Sequence, residues 1–283
     1  LRPFAFIRPF SMNNEHAHRA RKRFGQNFLH DQHVIARIVK AITPREGQCL
    51  IEIGPGRGAI TAPLLAATGT LTAIEIDRDL AALLRAQFAD KPGFNLIEAD
   101  VLTVDFAALA RDSGSAAQDS LRILGNLPYN ISTPLLFHLL RYNDLIHDMV
   151  FMLQLEVVQR MAAAPGDADY GRLSVMLQYY CKVEKLFTVP PGAFSPQPKV
   201  ESAIVKLTPW RVLPHPVRNI DTFAHVVRTA FNQRRKTIRN TLKTMLNPEQ
   251  LLALDIDLGL RPENLSLQDY ARIADFVDSQ SEN

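Results

Sequence analysis

The sequence contains only two cysteines, Cys49 and Cys181, and neither lies in a CxxC pair or beside a cluster of histidines. This scarcity excludes a disulfide framework and a cysteine-based zinc site, and it fits a reducing compartment. The sequence also lacks any apolar run that approaches the roughly eighteen residues of a membrane-spanning helix. We therefore expect a cytoplasmic protein that has no metal and no membrane segment.

The first residues also lack the long apolar core and the small-residue cleavage site of a secretory signal. We expect residues 1–20 to form a disordered or extended N-terminal segment. Apolar residues make up 47% of the 283-residue chain and charged residues 22%, the composition of an ordinary soluble globular protein. A chain of this length can form one large domain and a smaller second one.

The basic residues are concentrated in two segments, although the formal net charge is only +3. Residues 1–30 hold six Lys and Arg against one acidic residue, and residues 206–243 hold nine against one. The remainder of the chain is therefore acidic. Such clustering favours a polyanionic partner, because grouped Lys and Arg side chains attract phosphates. Taken alone, each basic segment is better explained as a solvated surface.

Short apolar runs typical of β-strands alternate with segments of helical periodicity in the first part of the chain. The runs are 49–53, 70–76, 95–99, 121–126 and 149–153. This alternation predicts an α/β fold with a parallel sheet covered by helices on both faces. An amphipathic helix that begins after Asp31 precedes the first run.

The pattern changes after about residue 205, where helical segments replace strands. The predicted helices are 220–232, 233–245, 248–254 and 266–277, and they are separated by Pro and Gly. The sequence therefore predicts a small all-helical C-terminal domain.

Three glycines, Gly54, Gly56 and Gly58, follow the first predicted strand at the start of a helical segment. Glycines in this position let a ligand approach the backbone, and the helix N-terminus offers free N–H groups. The acidic residue Glu52 precedes the loop, and the GxGxG spacing is one residue shorter than the dinucleotide fingerprint. By themselves, these glycines could form only a tight turn between a strand and a helix.

Polar residues also lie at the ends of the next three predicted strands. Glu75 ends the second strand, Asp100 follows the third and Asn126 ends the fourth. Because the carboxyl ends of parallel strands meet in one crevice, these side chains would line a single pocket. Glu75 can accept hydrogen bonds from ribose hydroxyls, and Asp100 can accept one from an adenine amino group. The ligand that we predict is S-adenosylmethionine, whose sulfonium cation tolerates acidic surroundings, and NAD is the alternative.

The string NLPY at residues 126–129 has the groups needed to hold an adenine for methylation at its amino group. The lone pair of that amine is delocalised into the ring, so it is a poor nucleophile. The side-chain oxygen of Asn126 and the carbonyl of Leu127 could accept hydrogen bonds from its two N–H groups, which would localise the lone pair on the nitrogen. Pro128 would stiffen the turn, and the ring of Tyr129 would stack on the base. A proline-containing turn with an Asn cap is the alternative explanation.

Several motifs occur in the order found in the KsgA family of ribosomal RNA adenine N6-dimethyltransferases, which the chain resembles from about Arg21 to its end. They are RKRFGQNFLHD, EIGPGRG, IEID, EAD, NLPYN, FSPQPKVESA and FNQRRKTIRNTL. The resemblance implies a Rossmann-like class I methyltransferase sheet in residues 21–208 and a helical C-terminal domain in residues 209–283. It is closer to the bacterial small-subunit enzymes than to the Erm resistance methyltransferases.

The resemblance also implies roles for individual residues. The cofactor would be bound by Gln26, Asn27, Leu29, Gly54, Gly56, Glu75, Asp100, Val101 and Asn126. The target adenine would be held by Asn126, Leu127, Tyr129 and Phe194. Family members often have His at the position of Asn27. From the residues alone, Phe194 is better explained as a core aromatic ahead of a proline-rich turn.

The implied substrate is a pair of adjacent adenines in the loop of the terminal helix of small-subunit rRNA, within an immature small ribosomal subunit. Unpaired loop bases can be splayed into a pocket, which a duplex resists. Binding to RNA phosphates would use one face of the predicted helix 233–245, namely Arg234, Arg235, Arg239 and Lys243. We expect a monomer. The alternatives are an Erm-like enzyme that acts on large-subunit rRNA, a non-catalytic assembly factor with the same fold, and an NAD-dependent oxidoreductase.

Overall fold

A computed structural model of the protein describes residues 27–112, 121–128 and 131–281. The expected N-terminal segment 1–20 and two of the predicted site residues, Gln26 and Tyr129, lie outside the described residues.

The centre of the fold is a seven-stranded sheet, and two short strands form a separate sheet. In chain order the strands are β1 (Phe28–Leu29), β2 (Cys49–Ile53), β3 (Leu71–Glu75), β4 (Phe94–Glu98), β5 (Leu121–Asn126), β6 (Ile146–Gln154), β7 (Cys181–Val189), β8 (Phe194–Ser195) and β9 (Ser202–Pro209). The large sheet has the order β4-β3-β2-β5-β6-β9-β7, and the small one pairs β1 with β8.

Strand direction in the large sheet fixes where a ligand can bind. Strands β4, β3, β2, β5 and β6 are parallel, and β9 is inserted antiparallel between β6 and β7. The order reverses at the β2–β5 pair, because the chain runs outward to β4 and then returns to β5. A crevice forms at the carboxyl ends of strands at such a reversal, and the predicted site residues lie there.

The helices cover the sheet and then form the C-terminal region. They are α1 (Gln32–Ile42), α2 (Thr61–Thr68), α3 (Arg78–Gln87), α4 (Phe106–Asp112), α5 (Ser132–Leu139), α6 (Leu155–Ala162), α7 (Arg172–Tyr180), α8 (Ile220–Phe231), α9 (Ile238–Thr241), α10 (Pro248–Ala253) and α11 (Leu267–Ser281). Among the helices of the described ranges, none has both the length and the hydropathy that a membrane crossing requires.

Helix α1 shows why the chain becomes helical where the periodicity predicts it. The side chain of Asp31 accepts hydrogen bonds from the backbone N–H groups of His33 and Val34, and it thereby caps the first turn. Val34, Ile35, Ile38 and Ile42 are buried on one face of the helix against the sheet. Burial of each of these side chains contributes roughly 1.5–3 kcal/mol, so this face anchors the segment that follows β1.

Apolar side chains form three clusters. Two of them, which lie on the faces of the large sheet, consist mainly of residues from β2 to β9 and the helices packed on them. The third cluster joins Tyr170, Val175 and Tyr179 to side chains of α8 and α11, including Phe223 and Tyr270. The C-terminal helices therefore share a core with α7 and the segment just before it.

Most of the predicted elements form, and the fold class is confirmed. Each of the five apolar runs is a strand whose ends differ by three residues or fewer from the prediction, and α1 begins after Asp31 as predicted. The sequence did not reveal the edge strand β7 or the two-residue strands β1 and β8.

The predicted helix 233–245 is wrong. Residues 232–235 are a turn, and helix α9 covers only Ile238–Thr241. Tertiary contacts override the helical periodicity here, because Ile238 is fully buried and its backbone N–H donates to the carbonyl of Leu260. The four basic residues assigned to this helix therefore do not lie on one helical face.

Candidate active site

A cavity of about 310 Å³ opens at the carboxyl ends of the parallel strands. Of the predicted site residues that the structure describes, it is lined by Asn27, Leu29, Gly54, Gly56, Glu75, Asp100, Val101, Asn126, Leu127 and Phe194. Residues up to 167 positions apart in the chain therefore meet in one place, as the strand-end argument requires.

The glycine loop after β2 has a backbone that other residues rarely adopt. Gly54 and Gly56 have φ angles of 65° and 59°. A Cβ atom at Gly56 would lie 3.3 Å from Cδ1 of Phe28, which is tighter than ordinary contact. The amide of Gly54 donates to the carbonyl of Ile74 at 2.9 Å, which holds the loop against β3. The positive φ angles favour glycine at both positions, and the close approach of Phe28 adds to that preference at Gly56.

Glu75 is the acidic residue at the end of β3, and its side chain is almost fully buried at 6% exposure. Burial raises the pKa of its carboxyl, while the backbone N–H groups of Asp77 and Gly56 donate to it and oppose that rise. The N–H of Asp77 lies 2.9 Å from Oε1. The Glu75 carboxylate is thus fixed in orientation at the cavity wall.

Asp100 lies one strand further along the edge, after β4. Its Oδ1 accepts from the backbone N–H of Leu102 at 3.0 Å and caps a short 3-10 turn, Val101–Thr103. Val101 is 5% exposed and supplies an apolar wall beside the carboxylate. One acceptor next to an apolar surface is the combination that suits the amino edge and face of a nucleobase.

Glu52 also lines the cavity, although sequence reasoning did not assign it to the site. It is 2% exposed, and Thr61 Oγ1 donates to its Oε2 at 2.6 Å. Burial raises the pKa of this carboxyl to about 7, the Thr61 hydrogen bond opposes the rise, and the nearby charge of Glu75 adds to it. The sequence signal was an acidic residue within the apolar run of β2, directly before the glycine loop.

Asn126 and Leu127 lie at the end of β5, which approaches β2 closely. A Cβ at Gly125 would lie 2.4 Å from the carbonyl oxygen of Ile53, so only glycine fits before Asn126. The Asn126 Nδ2 group donates to the backbone carbonyl of Asn27 at 3.2 Å. Leu127 is 1% exposed, and its N–H donates to Met152 at 3.1 Å. The bond from Nδ2 leaves the Asn126 oxygen as the end of the amide that can accept from a ligand.

Phe194 is both a core residue and a wall of the cavity. It is 4% exposed and belongs to the cluster formed by α1 and the sheet. Strand β8 pairs Phe194 with Leu29 of β1. Phe194 can therefore be a core aromatic and also line the site, so the two explanations that the sequence left open do not exclude each other.

The predicted RNA-binding arginines differ in their contacts. One guanidinium nitrogen of Arg234 donates to the backbone carbonyls of Ala168 at 2.7 Å and Tyr170 at 3.0 Å. Arg235, Arg239 and Lys243 are exposed. Arg234 is exposed as well, but these two bonds hold its guanidinium against the segment before α7.

We expect Arg234→Ala and Arg235→Ala to act on different properties. Arg235→Ala should lower the slope of log affinity against log salt by about 1, because one phosphate contact is lost. Arg234→Ala should leave that slope unchanged, because the Arg234 guanidinium is bonded to the segment before α7. It should lower the melting temperature by about 2–4 °C, which is roughly the effect of losing 1 kcal/mol of stability in a protein of this size. Filter binding to small subunits at several salt concentrations, with calorimetric melting, measures both. An equal loss of slope in the two variants would contradict the assignment.

Part of the basic charge in segment 206–243 is likewise used inside the fold. Lys206 Nζ lies 3.1 Å from Asp148 Oδ2, and Asp148 also pairs with the buried Arg122 at 2.8 Å. Arg211 donates to the carbonyl of Ile146. Within the described ranges, no group of three or more His, Cys, Asp or Glu side chains is arranged to hold a metal ion.

A largely parallel sheet with a glycine loop after its first core strand and acidic residues at the next two strand ends defines a Rossmann-like methyltransferase. The solved structures that resemble this chain agree with that class. Residues 17–279 match the family model described as ribosomal RNA adenine dimethylase, and the chain belongs to that family. It is an rRNA adenine methyltransferase, and the expected family and enzyme class are confirmed.

Three relatives illustrate the match. The chain is 57% identical over 266 residues to "Ribosomal RNA small subunit methyltransferase A" of Marinobacter nauticus, with 94% of each chain covered. A dimethyladenosine transferase from Plasmodium falciparum has a TM-score of 0.77 at 25% identity, over 90% of this chain and 98% of that one. The 23S rRNA methyltransferase ErmE has a TM-score of 0.69 at 25% identity, over 89% and 100%.

Proposed function

We propose that the protein transfers methyl groups from S-adenosylmethionine to the N6 atoms of two adjacent adenines in the 3′-terminal helix loop of small-subunit rRNA. Each adenine would become N6,N6-dimethyladenine, on an immature small subunit in the cytoplasm. The observation that carries this proposal is the convergence of Glu75, Asp100 and Asn126 on one cavity. The small-subunit assignment is supported by the name of the relative that is 57% identical.

The residues present suit S-adenosylmethionine. The glycine loop leaves space where side chains would stand, and the fixed Glu75 carboxylate can accept from two ribose hydroxyls. Asp100 and Val101 provide the acceptor and the apolar face that an adenine needs. Leu29 of β1 and Asn27, which comes just before that strand, also line the cavity and would hold the methionine end. When bound, the cofactor supplies an electrophilic methyl group on a sulfonium.

The chain's own contribution is to position and activate the target amine. The Asn126 oxygen and the Leu127 carbonyl would accept the two N6 protons, which favours a pyramidal nitrogen with a localised lone pair. The bond from Asn126 Nδ2 to the Asn27 carbonyl keeps the amide oxygen in place for this task. Phe194, and Tyr129 as the resemblance implies, would hold the ring by stacking. After transfer, one N6 proton leaves to water, so no strong base is needed beforehand.

We further propose that residues 21–208 act as the methyltransferase domain and that residues 209–283 dock on the ribosomal subunit. The exposed Arg235, Arg239 and Lys243 would neutralise rRNA phosphates there, with little sequence specificity. We propose that the protein acts as a monomer.

A methylation assay distinguishes this proposal from action on large-subunit rRNA. Immature small subunits and protein-free large-subunit rRNA are each incubated with S-adenosylmethionine that carries a labelled methyl group, and the RNA is digested for mass spectrometry. We expect N6,N6-dimethyladenosine only in small-subunit RNA. Labelling of large-subunit RNA alone would favour the Erm-like alternative.

Calorimetric titration with S-adenosylmethionine and with NAD tests the cofactor assignment. Heat of binding from NAD alone would overturn that assignment.

A further inference from the structure

Phe28 of β1 lies between two residues of the glycine loop. Its ring edge would be 3.3 Å from a Cβ at Gly56, and the Arg57 guanidinium lies over the ring with Cζ 4.6 Å from its centroid. The edge of the ring therefore packs against the loop, and a cation lies over one of its faces. All three residues line the cavity.

The residues on either side of Phe28 hold the part of the cavity assigned to the target base. The carbonyl of Asn27 accepts from Asn126 Nδ2 at 3.2 Å, and Leu29 is paired with Phe194 across the two-stranded sheet. The N–H of His30 donates to the carbonyl of Ala193 at 3.0 Å, which extends that pairing. A three-residue segment thus touches both groups proposed to grip the adenine.

The glycine loop is in turn joined to the cofactor side of the cavity. The N–H of Gly56 donates to the Glu75 carboxylate, the group proposed to bind ribose. A continuous set of contacts therefore runs from Glu75 through Gly56 and Phe28 to the Asn27 carbonyl and Asn126. The steps are hydrogen bonds, packing contacts or peptide bonds between neighbours, so a shift of Phe28 would move Asn126 relative to the glycine loop.

We propose that Phe28, held by Arg57, is a positioning residue that sets the Asn126 amide relative to the cofactor. This inference rests on the proposed function. Phe28 does not need to touch the adenine, because it acts through the backbone of β1. A smaller side chain would leave space above Gly56, so that β1 could move and the Asn126–Asn27 bond would weaken.

The test compares Phe28→Leu with Phe28→Tyr and with a matched control, Phe187→Leu. Phe187 is also half-buried and also lies under an arginine, with Arg37 Cζ 4.0 Å from the ring centroid, but it does not line the cavity. Three properties are measured for each: the single-turnover methylation rate on small subunits, the KM for S-adenosylmethionine, and solvent exchange of the Asn126 side-chain amide by NMR. The amide measurement uses the free protein and needs no RNA.

For Phe28→Leu we expect the rate to fall about 10–100-fold, the result of a displacement near 1 Å, while KM changes by less than about threefold. Its Asn126 amide should exchange faster than in the wild type. Phe28→Tyr keeps the ring, so its methylation rate and its Asn126 amide exchange should be close to those of the wild type. Phe187→Leu should alter neither the rate nor the exchange.

Three possible results separate this inference from the proposed function. A Phe28→Leu protein with the rate and amide exchange of the wild type would overturn the inference alone. An equal rate loss in Phe187→Leu would also overturn it, because the effect would then be general. If the wild type labels no adenine, the proposed function itself is wrong, and the inference falls with it.

Discussion

Asn126→Ala is expected to lower the rate of methyl transfer by about 100- to 1,000-fold, the usual effect of removing one preorganised polar group that acts on the reacting atom. The variant loses the oxygen that accepts from the target amine and also the Nδ2 group that donates to Asn27. Affinity for S-adenosylmethionine should change far less, since Glu75 and Asp100 remain. Single-turnover methylation of small subunits and calorimetric titration measure the two effects separately.

A suitable control is Asn95→Ala, which removes an exposed asparagine of β4 whose side chain donates to Thr72 Oγ1 at 3.5 Å. We expect this variant to keep the wild-type rate. The two variants should have similar melting temperatures, because each loses one side-chain hydrogen bond, of 3.2 Å in Asn126→Ala and of 3.5 Å in Asn95→Ala. Equal activity of Asn126→Ala and wild type would favour the non-catalytic assembly factor, since the amide would then have no part in chemistry.

The convergence of the candidate site residues on one cavity could be predicted from the sequence because these residues lie at strand ends. Glu75, Asp100 and Asn126 each follow a short apolar run, and parallel pairing brings such positions to one edge whatever the separation along the chain. Local pattern is therefore enough to predict their convergence. The family motifs then added Asn27, Leu29 and Phe194, which pattern alone could not place.

The rest depended on contacts between distant segments. Strands β1 and β8 are two residues long and gain their pairing from each other across more than 160 positions, so no local periodicity marks them. Helix 233–245 was predicted from its own periodicity, but burial of Ile238 and the bonds of Arg234 to Ala168 and Tyr170 decide its structure. Glu52 was not assigned to the site because the sequence of a strand does not show that a given side chain is buried beside a cavity.

Glu52→Gln is expected to stabilise the protein at pH 8. Burial raises the pKa of this carboxyl from 4.5 to about 7, so the folded state binds the proton more tightly than the unfolded state does. The contribution of Glu52 to stability is therefore fully present below about pH 4.5, falls as pH rises towards 7, and is lost above it. The difference between these two pKa values corresponds to a loss of about 3 kcal/mol of stability when the buried carboxyl ionises. The neutral glutamine avoids this loss.

Urea unfolding at pH 5 and pH 8 measures this effect. The gain in free energy of unfolding for Glu52→Gln over wild type should be large at pH 8 and small at pH 5. Glu98→Gln is the control, because Glu98 is a partly exposed carboxylate that pairs with Arg85 at 3.0 Å. This control should show no gain at pH 8. A Glu52→Gln protein whose gain is the same at both pH values would contradict the burial argument.

The same substitution should weaken cofactor binding, and this explains why a costly buried acid can be useful. Glu52 and Glu75 both line the cavity, burial raises the pKa of both carboxyls, and the charge of Glu75 adds to the rise at Glu52. A bound cation would favour their ionised forms, so binding near pH 7 should release protons from the wild type. Calorimetric titration in two buffers of different ionisation enthalpy counts those protons. Glu52→Gln should release fewer and bind S-adenosylmethionine less tightly, whereas equal release would place the titrating group elsewhere.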